Sequence, residues 1–270
     1  MKEALFDRVA RFYDYELGVV GESLNDVPLY AEYARKSGGD VLELACGTGR
    51  ALIPLAQKGF RLTGLDISDE MLKIARGKVC RLSKAARSRI RLVRGDMTDF
   101  NLGGRFSLIF IAFRSFQHLL TKQDQGRCLD CVRRHLDRGG YFLLHLFAPR
   151  HDLLAQGKRT MYLGSFYDPQ QRCQVFRHAE DQYNLKDQTL HEDRFYEWTD
   201  RKGVLHRHVW SFDFAYLFRF ETELLLEKHG FKVESVFGDF KKSPYDYYSG
   251  EQVFVARPAG RDPGMSKERR

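Results

Sequence analysis

Residues 40–50 read Asp-Val-Leu-Glu-Leu-Ala-Cys-Gly-Thr-Gly-Arg, and this stretch admits few folds. Val41, Leu42 and Leu44 form a short apolar run of the kind buried on both faces of a parallel sheet. Gly47 and Gly49 then free the backbone to turn, just before the helical pattern Ala51-Leu52-Ile53-Pro54-Leu55-Ala56. A strand, a tight glycine turn and a helix bring bare main-chain N–H groups to the positive end of a helix dipole, where a phosphate, a carboxylate or a nucleoside can sit. Taken alone, such a turn fits a plain strand-to-helix connection equally well.

Two further units narrow the choice. Arg61-Leu-Thr-Gly-Leu-Asp66 reads as a second strand ending in an acid, and a carboxylate there can accept hydrogen bonds from both hydroxyls of a ribose. Ile90-Arg-Leu-Val-Arg-Gly-Asp96-Met97 again ends a strand with an acid, beside a flexible apolar side chain. Three successive strands thus carry a recognition group at one carboxyl edge, where open α/β sheets bind ligands. The dinucleotide fingerprint needs a third small residue for helix–strand packing; that position is Leu52, so the pyrophosphate reading fails.

An acid inside the first strand (Glu43), a glycine turn, Asp66 and Asp96 together resemble the class I S-adenosylmethionine-dependent methyltransferases. The resemblance implies a doubly wound, mostly parallel seven-stranded α/β sheet with S-adenosyl-L-methionine as cofactor, leaving as S-adenosyl-L-homocysteine. It puts Glu43 and the turn residues Ala45, Gly47 and Gly49 on the methionine part, Asp66 on the ribose and Asp96 on the adenine amine. Ile67, Met71, Met97 and the strand-four end at Ala112 complete the expected cofactor site. Ala45 stands where many members have the first glycine of the turn, and it is small enough to replace it.

The remaining chain is expected to fold as a helical cap (1–39), the cofactor domain (40–150 and 219–258), an inserted antiparallel lid (151–218) and a disordered tail (259–270). Leu5, Val9, Phe12 and Tyr13 have helical spacing, and a second helix starts after Asp26 with Pro28 in its first turn. In the small-molecule members that the chain resembles, the N-terminal segment folds over the cofactor; Tyr13-Asp14-Tyr15 is the nearest match to their tyrosine-rich stretch. Strand four, Phe106–Ala112, ends in Phe113-Arg-Ser-Phe-Gln-His-Leu119. The Asn/Asp-Pro-Pro-aromatic run of methyltransferases that act on bases or protein glutamine is absent there, whereas Ser115–Leu119 resembles the polar loop of small-molecule members. His118 is expected either to orient or deprotonate the acceptor or to start a helix as a structural residue.

Three alternating segments, 172–183, 189–199 and 204–218, predict a three-stranded antiparallel sheet. On the third, His206, His208, Trp210, Phe212, Phe214 and Tyr216 share a face. Such an insertion resembles the acceptor-covering lid of sugar-amine and glycine-type N-methyltransferases. Tyr13, Arg114, His118 and Tyr216 are therefore the acceptor-side, catalytic candidates.

The net charge of +8 raises nucleic acid as a rival partner. The excess is local: residues 73–91 carry eight Lys/Arg and no acid, at the helix end that faces away from the ligand edge, where bases suit the helix dipole. An RNA methyltransferase using that patch, and a module that binds the cofactor without turning it over, are the two alternatives. Five cysteines suggest no disulfide framework, and Cys128-x-x-Cys131 lacks a second pair for zinc. His206 with His208 lacks a third ligand, so no metal is expected. Without an apolar run of about 18 residues, the expectation is a cytoplasmic protein with a small-molecule acceptor and no membrane partner. Monomer and homodimer stay open.

Overall fold

The computed structural model describes residues 5–16 and 25–260. Residues 10–16 form a short helix, α1. It is followed by α2 (Val27–Ser37), β1 (Val41–Leu44), α3 (Leu52–Gln57), β2 (Leu62–Asp66), α4 (Asp69–Cys80), α5 (Lys84–Arg87), β3 (Ile90–Arg94) and β4 (Phe106–Ile111). A 3-10 turn at Ser115–His118 leads to α6 (Lys122–His135), β5 (Leu136–Phe147) and α7 (His151–Gln156). Four long strands come next, β6 (Lys158–Asp168), β7 (Cys173–Asn184), β8 (Thr189–Thr199) and β9 (Leu205–Ala215). The chain returns through α8 (Arg219–Lys228), β10 (Phe231–Phe237) and β11 (Glu251–Pro258).

The seven-stranded sheet has the order β10-β11-β5-β4-β1-β2-β3. Its β1, β2, β3, β4 and β5 neighbours pair in parallel, and β11 runs antiparallel to both β5 and β10. Because strand side chains alternate, each central strand feeds two cores. Val41, Leu108, Phe110 and Leu143 pack against α2 and α3, where Tyr30 stacks on Phe110 at 4.3 Å. Leu42, Leu44, Ile109, Ile111 and Leu144 face α6 and α8 instead. Cys128 and Cys131 are buried in this second core. All four residues of β1 are buried, as the apolar run requires.

The second sheet is antiparallel, in the order β6-β7-β8-β9, and it corrects the expected lid by one strand. β6 escapes a periodicity reading because its alternation is charged and interrupted: Arg159 pairs with Asp181 on β7, and the register shifts between Tyr162 and Gly164. The N-terminal cap is also divided between two bodies. Whereas α2 packs on the large sheet, Val9 and Phe12 from the first segment join Phe166, Val175, Tyr196, Trp198, Trp210 and Phe212 in the core of the lid.

Close packing of α3 on the sheet is achieved from the strand side. A Cβ on Gly64 in β2 would stand 2.4 Å from Leu52 Cδ1 and 2.8 Å from Cys46 Sγ. Gly64 therefore supplies the room that Leu52 takes. Gly64→Ala is expected to cost about 1–3 kcal/mol of stability by overpacking; chemical denaturation checks this, and an unchanged midpoint would contradict it.

Candidate active site

The carboxyl edge of the large sheet opens into a cleft of about 690 Å³. Ala45, Gly47, Asp66, Ile67, Met71, Asp96 and Met97 all line it. Asp66 ends β2 and is fixed by main-chain donors: its Oδ2 accepts from the Gly47 N–H at 2.7 Å and its Oδ1 from the Ser68 N–H at 2.8 Å. Burial raises its pKa, and those two hydrogen bonds oppose the rise. A carboxylate has about four acceptor sites, so two remain for ligand hydroxyls. Ser68 also caps α4 by accepting from the Met71 N–H at 3.0 Å, which fixes Met71 against the cleft. Asp96 is exposed, and its Oδ1 accepts from both the N–H and the hydroxyl of Thr98 at 2.8 Å.

Ala45 has φ of 55°, the left-handed region that glycine adopts freely, so its backbone takes the glycine conformation despite the methyl group. Glu43, Gly49 and Ala112 sit behind the lining, all buried. Burial pushes the Glu43 carboxyl well above the usual range, opposed by the nearby Arg50 guanidinium, and its Oε2 has no hydrogen-bond partner. A buried acceptor lacking a donor beside a bare glycine turn fits the ammonium end of an S-adenosylmethionine; Asp66 and Asp96 fit its ribose and adenine donors. Sequence reasoning missed Phe6, Ser68 and Thr98, which also line the cleft, as does Ser115 of the polar loop.

A second cavity of about 390 Å³ lies between the lid and the sheet edge. Phe6, Tyr13, Ser115 and His118 line both cavities, so the two meet at these four residues. Trp210, Phe212 and Phe214 of β9 form an aromatic wall of this chamber. His206 and His208 lie outside it; His206 pairs instead with Asp200 at 2.9 Å. Tyr216 also lines neither cavity. It follows the end of β9 and is buried, with its hydroxyl 3.4 Å from the Asn184 carbonyl, so it is removed from the acceptor side.

His118 Nδ1 lies 3.3 Å from the Asp213 carbonyl. A carbonyl only accepts, so Nδ1 carries the proton and Nε2 keeps its lone pair. Burial among Phe6, Phe212 and Phe214 lowers the His118 pKa to about 4. Tyr13 is driven the other way: burial, with Glu16, Asp66 and Glu43 nearby, raises its pKa and keeps the phenol protonated.

Arg114 reaches the chamber through two consecutive left-handed residues, Phe113 at φ 52° and Arg114 at φ 65°. Such a pair costs energy and needs support from its surroundings. The Phe113 N–H donates to His145 Nδ1 at 3.0 Å, which leaves Nε2–H to donate to Glu251 at 2.8 Å. Glu251 in turn holds the Arg114 guanidinium. Arg114 is therefore neutralised within the fold and serves to position the loop.

The chamber also contains charges that the sequence reading left out. Glu16 of α1 binds Arg177 and Arg194, and accepts from the Tyr196 hydroxyl at 3.0 Å. Asp181, Glu192 and Arg159 line the same space. The available signal was phase: Arg177, Asp181, Glu192 and Arg194 occupy positions that face inward on their strands.

Residues 41–140 match the family model described as a methyltransferase domain. A dTDP-3-amino-3,4,6-trideoxy-alpha-D-glucopyranose N,N-dimethyltransferase of Streptomyces venezuelae is 36% identical over 100 residues, covering 37% of this chain and 39% of that protein. The glycine/sarcosine N-methyltransferase of Parasynechococcus marenigrum is 26% identical over 250 residues, covering 89% of this chain and 78% of that one. Among solved structures, the CcbJ methyltransferase from Streptomyces caelestis superposes with a TM-score of 0.81 at 25% identity, over 96% of this chain and 99% of that one. The stronger sequence matches are local and span about two-fifths of the relatives' length. Residues 41–140 thus match a methyltransferase domain, and the whole chain has the fold of solved methyltransferases.

Proposed function

We propose that this protein is an S-adenosylmethionine-dependent methyltransferase that methylates the nitrogen of a small-molecule amine held under the lid. The observation that carries the reading is the shared wall of Phe6, Tyr13, Ser115 and His118 between a nucleoside-fitting cleft and the chamber under the lid. When bound, the cofactor supplies a methyl group that is already strongly electrophilic. What the chain must do is align the acceptor lone pair and exclude water.

The amine must arrive neutral. An imidazole with a pKa of about 4 is too weak a base to strip an alkylammonium. Its Nε2 is instead a fixed hydrogen-bond acceptor for an amine N–H, which turns the nitrogen lone pair away from His118. The protonated phenol of Tyr13 is a donor on the same wall, and Phe6 closes the junction to water. Asp66 and Asp96 hold the nucleoside end. Nothing in the site favours an RNA acceptor or a non-catalytic module: part of the basic run is neutralised internally, with Lys78 on Asp14 and Lys73 on Glu70. No helix among the described residues is long and apolar enough to cross a membrane, and we place the activity in the cytoplasm.

Incubation with methyl-labelled cofactor and fractionated cell extract tests the reading. Label in amine-containing small molecules is expected; label confined to RNA or protein would overturn it. Asp66→Ala should weaken S-adenosylhomocysteine binding by about 1–3 kcal/mol in calorimetry, the scale of hydrogen bonds to a charged group. Unchanged affinity would remove Asp66 from the ribose site.

His118 makes a pH prediction. The unfolded chain protonates this imidazole near its ordinary 6.5, the folded chain only near 4, so acidification across that window costs stability. The wild type should therefore lose more stability than His118→Gln between pH 6.5 and 4.5, and the His118 ring resonances should stay flat from pH 8 to about 5. A midpoint near 6.5 in NMR would refute the neutral acceptor.

A further inference from the structure

We infer that Gln117 and Gln252 are positioning residues for the transfer: their buried amides fasten both chain crossings between the sheet and the lid to the turn that carries His118, and so set where His118 Nε2 stands. This role presupposes the methyltransferase reading above and goes beyond it.

The chain leaves the large sheet for the lid after Phe147, the last residue of β5, and returns through Ala215, the last residue of β9, and Leu217. Gln117 stands in the turn Ser115–His118, directly before His118, and has no exposed surface. Its Oε1 accepts from the Phe147 N–H at 2.8 Å and its Nε2 donates to the Ala215 carbonyl at 3.1 Å. One amide thus holds the outgoing and the returning crossing together. Gln252 of β11, equally buried, joins the same two crossings: its Nε2 donates to the Leu217 carbonyl at 3.0 Å and to the Phe147 carbonyl at 3.3 Å. Phe147 therefore has its N–H on one glutamine and its C=O on the other.

Neither amide can turn over without losing these bonds. Gln117 meets one donor and one acceptor, which fixes its oxygen and nitrogen. Gln252 faces two carbonyls, which only accept, so its NH2 points to them and Oε1 is left buried without a partner. That oxygen costs stability. An apolar side chain of similar size would avoid the cost but would leave two crossing carbonyls unheld.

The same strand end receives His118, whose Nδ1 lies 3.3 Å from the Asp213 carbonyl, at the long end for a hydrogen bond. Asp213 and Ala215 are two residues apart on β9, so their carbonyls point to the same side of the strand. Since β9 is an edge of the lid sheet, Gln117 and His118, adjacent in the turn, dock side by side on that edge. The Gln117 bond keeps the Asp213 carbonyl opposite Nδ1, and that carbonyl is what holds the proton on Nδ1 and the lone pair on Nε2. Neither glutamine lines the cleft or the chamber, so their effect on the reaction passes through His118.

The test is NMR of the His118 imidazole nitrogens in the full chain, with and without S-adenosylhomocysteine. The wild type should show one tautomer, protonated on Nδ1. Burial is the main cause of the low His118 pKa, with Arg194 lowering it further and the Asp213 carbonyl and carboxylate raising it, so lost docking should show as a rise. Gln117→Leu, which keeps the bulk and removes both hydrogen bonds, should give mixed tautomers and move the midpoint up towards the ordinary 6.5. Gln252→Leu should do the same. With methyl-labelled cofactor, both variants should lower kcat for labelling the small-amine fraction of cell extract by roughly 10–100-fold, with KM for the cofactor unchanged. Gly64→Ala, destabilised elsewhere, should leave the His118 tautomer and midpoint unmoved. Leucine variants that keep the single tautomer and the low midpoint overturn the inference, as does Gly64→Ala shifting them equally. Should the leucine variants fail to fold, the wild type decides: the side-chain NH2 protons of both glutamines should exchange slowly with solvent, and rapid exchange overturns the inference. A wild type that neither binds S-adenosylhomocysteine nor labels any amine would refute the methyltransferase reading, a result separate from the state of the His118 ring.

Discussion

Two acids two residues apart on α1, outside both sheets, hold the site together. Asp14 bonds to the Thr48 hydroxyl at 2.7 Å and to Lys78 at 2.6 Å, both on the cofactor domain. Glu16, two residues on, is buried among Arg177, Arg194 and Tyr196 of the lid. Desolvating a carboxylate is expensive, and it is sustained here because two guanidinium groups and a phenol satisfy it together. The short helix that carries both acids therefore fixes where the lid sits relative to the glycine turn. Phe6 and Tyr13 fall between the two cavities as a consequence.

The cofactor half of the molecule was legible because its chemistry is local in sequence. Each strand delivers its recognition group at its own carboxyl end, and parallel pairing puts those ends along one rim. Glu43, Gly49 and Ala112 stand behind the rim instead of lining it: Glu43 lies inside the buried strand β1, Gly49 in the turn after it and Ala112 just past the end of β4. Gly64 shows a compensation that motif matching does not see. The small residue that a dinucleotide site puts on the helix is here found on the neighbouring strand, opposite Leu52.

The lid was harder to read for a physical reason. Alternation is recognised by apolar residues recurring every second position, and here several inward positions are charged. β6 disappears under that rule, although Arg159 has a definite inward partner in Asp181. Tyr216 fails in the opposite way. It continues the aromatic phase of β9 in sequence, but the strand ends at Ala215 and its ring turns towards Tyr183 and Phe218. The pairs of Glu16 with Arg177 and Arg194 join α1 to the lid over a long stretch of chain, so no spacing within either segment predicts that they meet.

Phe6 and Tyr13 touch both cavities, which makes their segment a thermodynamic link as well as a partition. A ligand that orders this segment from one side spares the other ligand part of the same conformational cost. Heterotropic coupling of this kind is symmetric: whatever factor the nucleoside lends to acceptor affinity, the acceptor returns to the nucleoside.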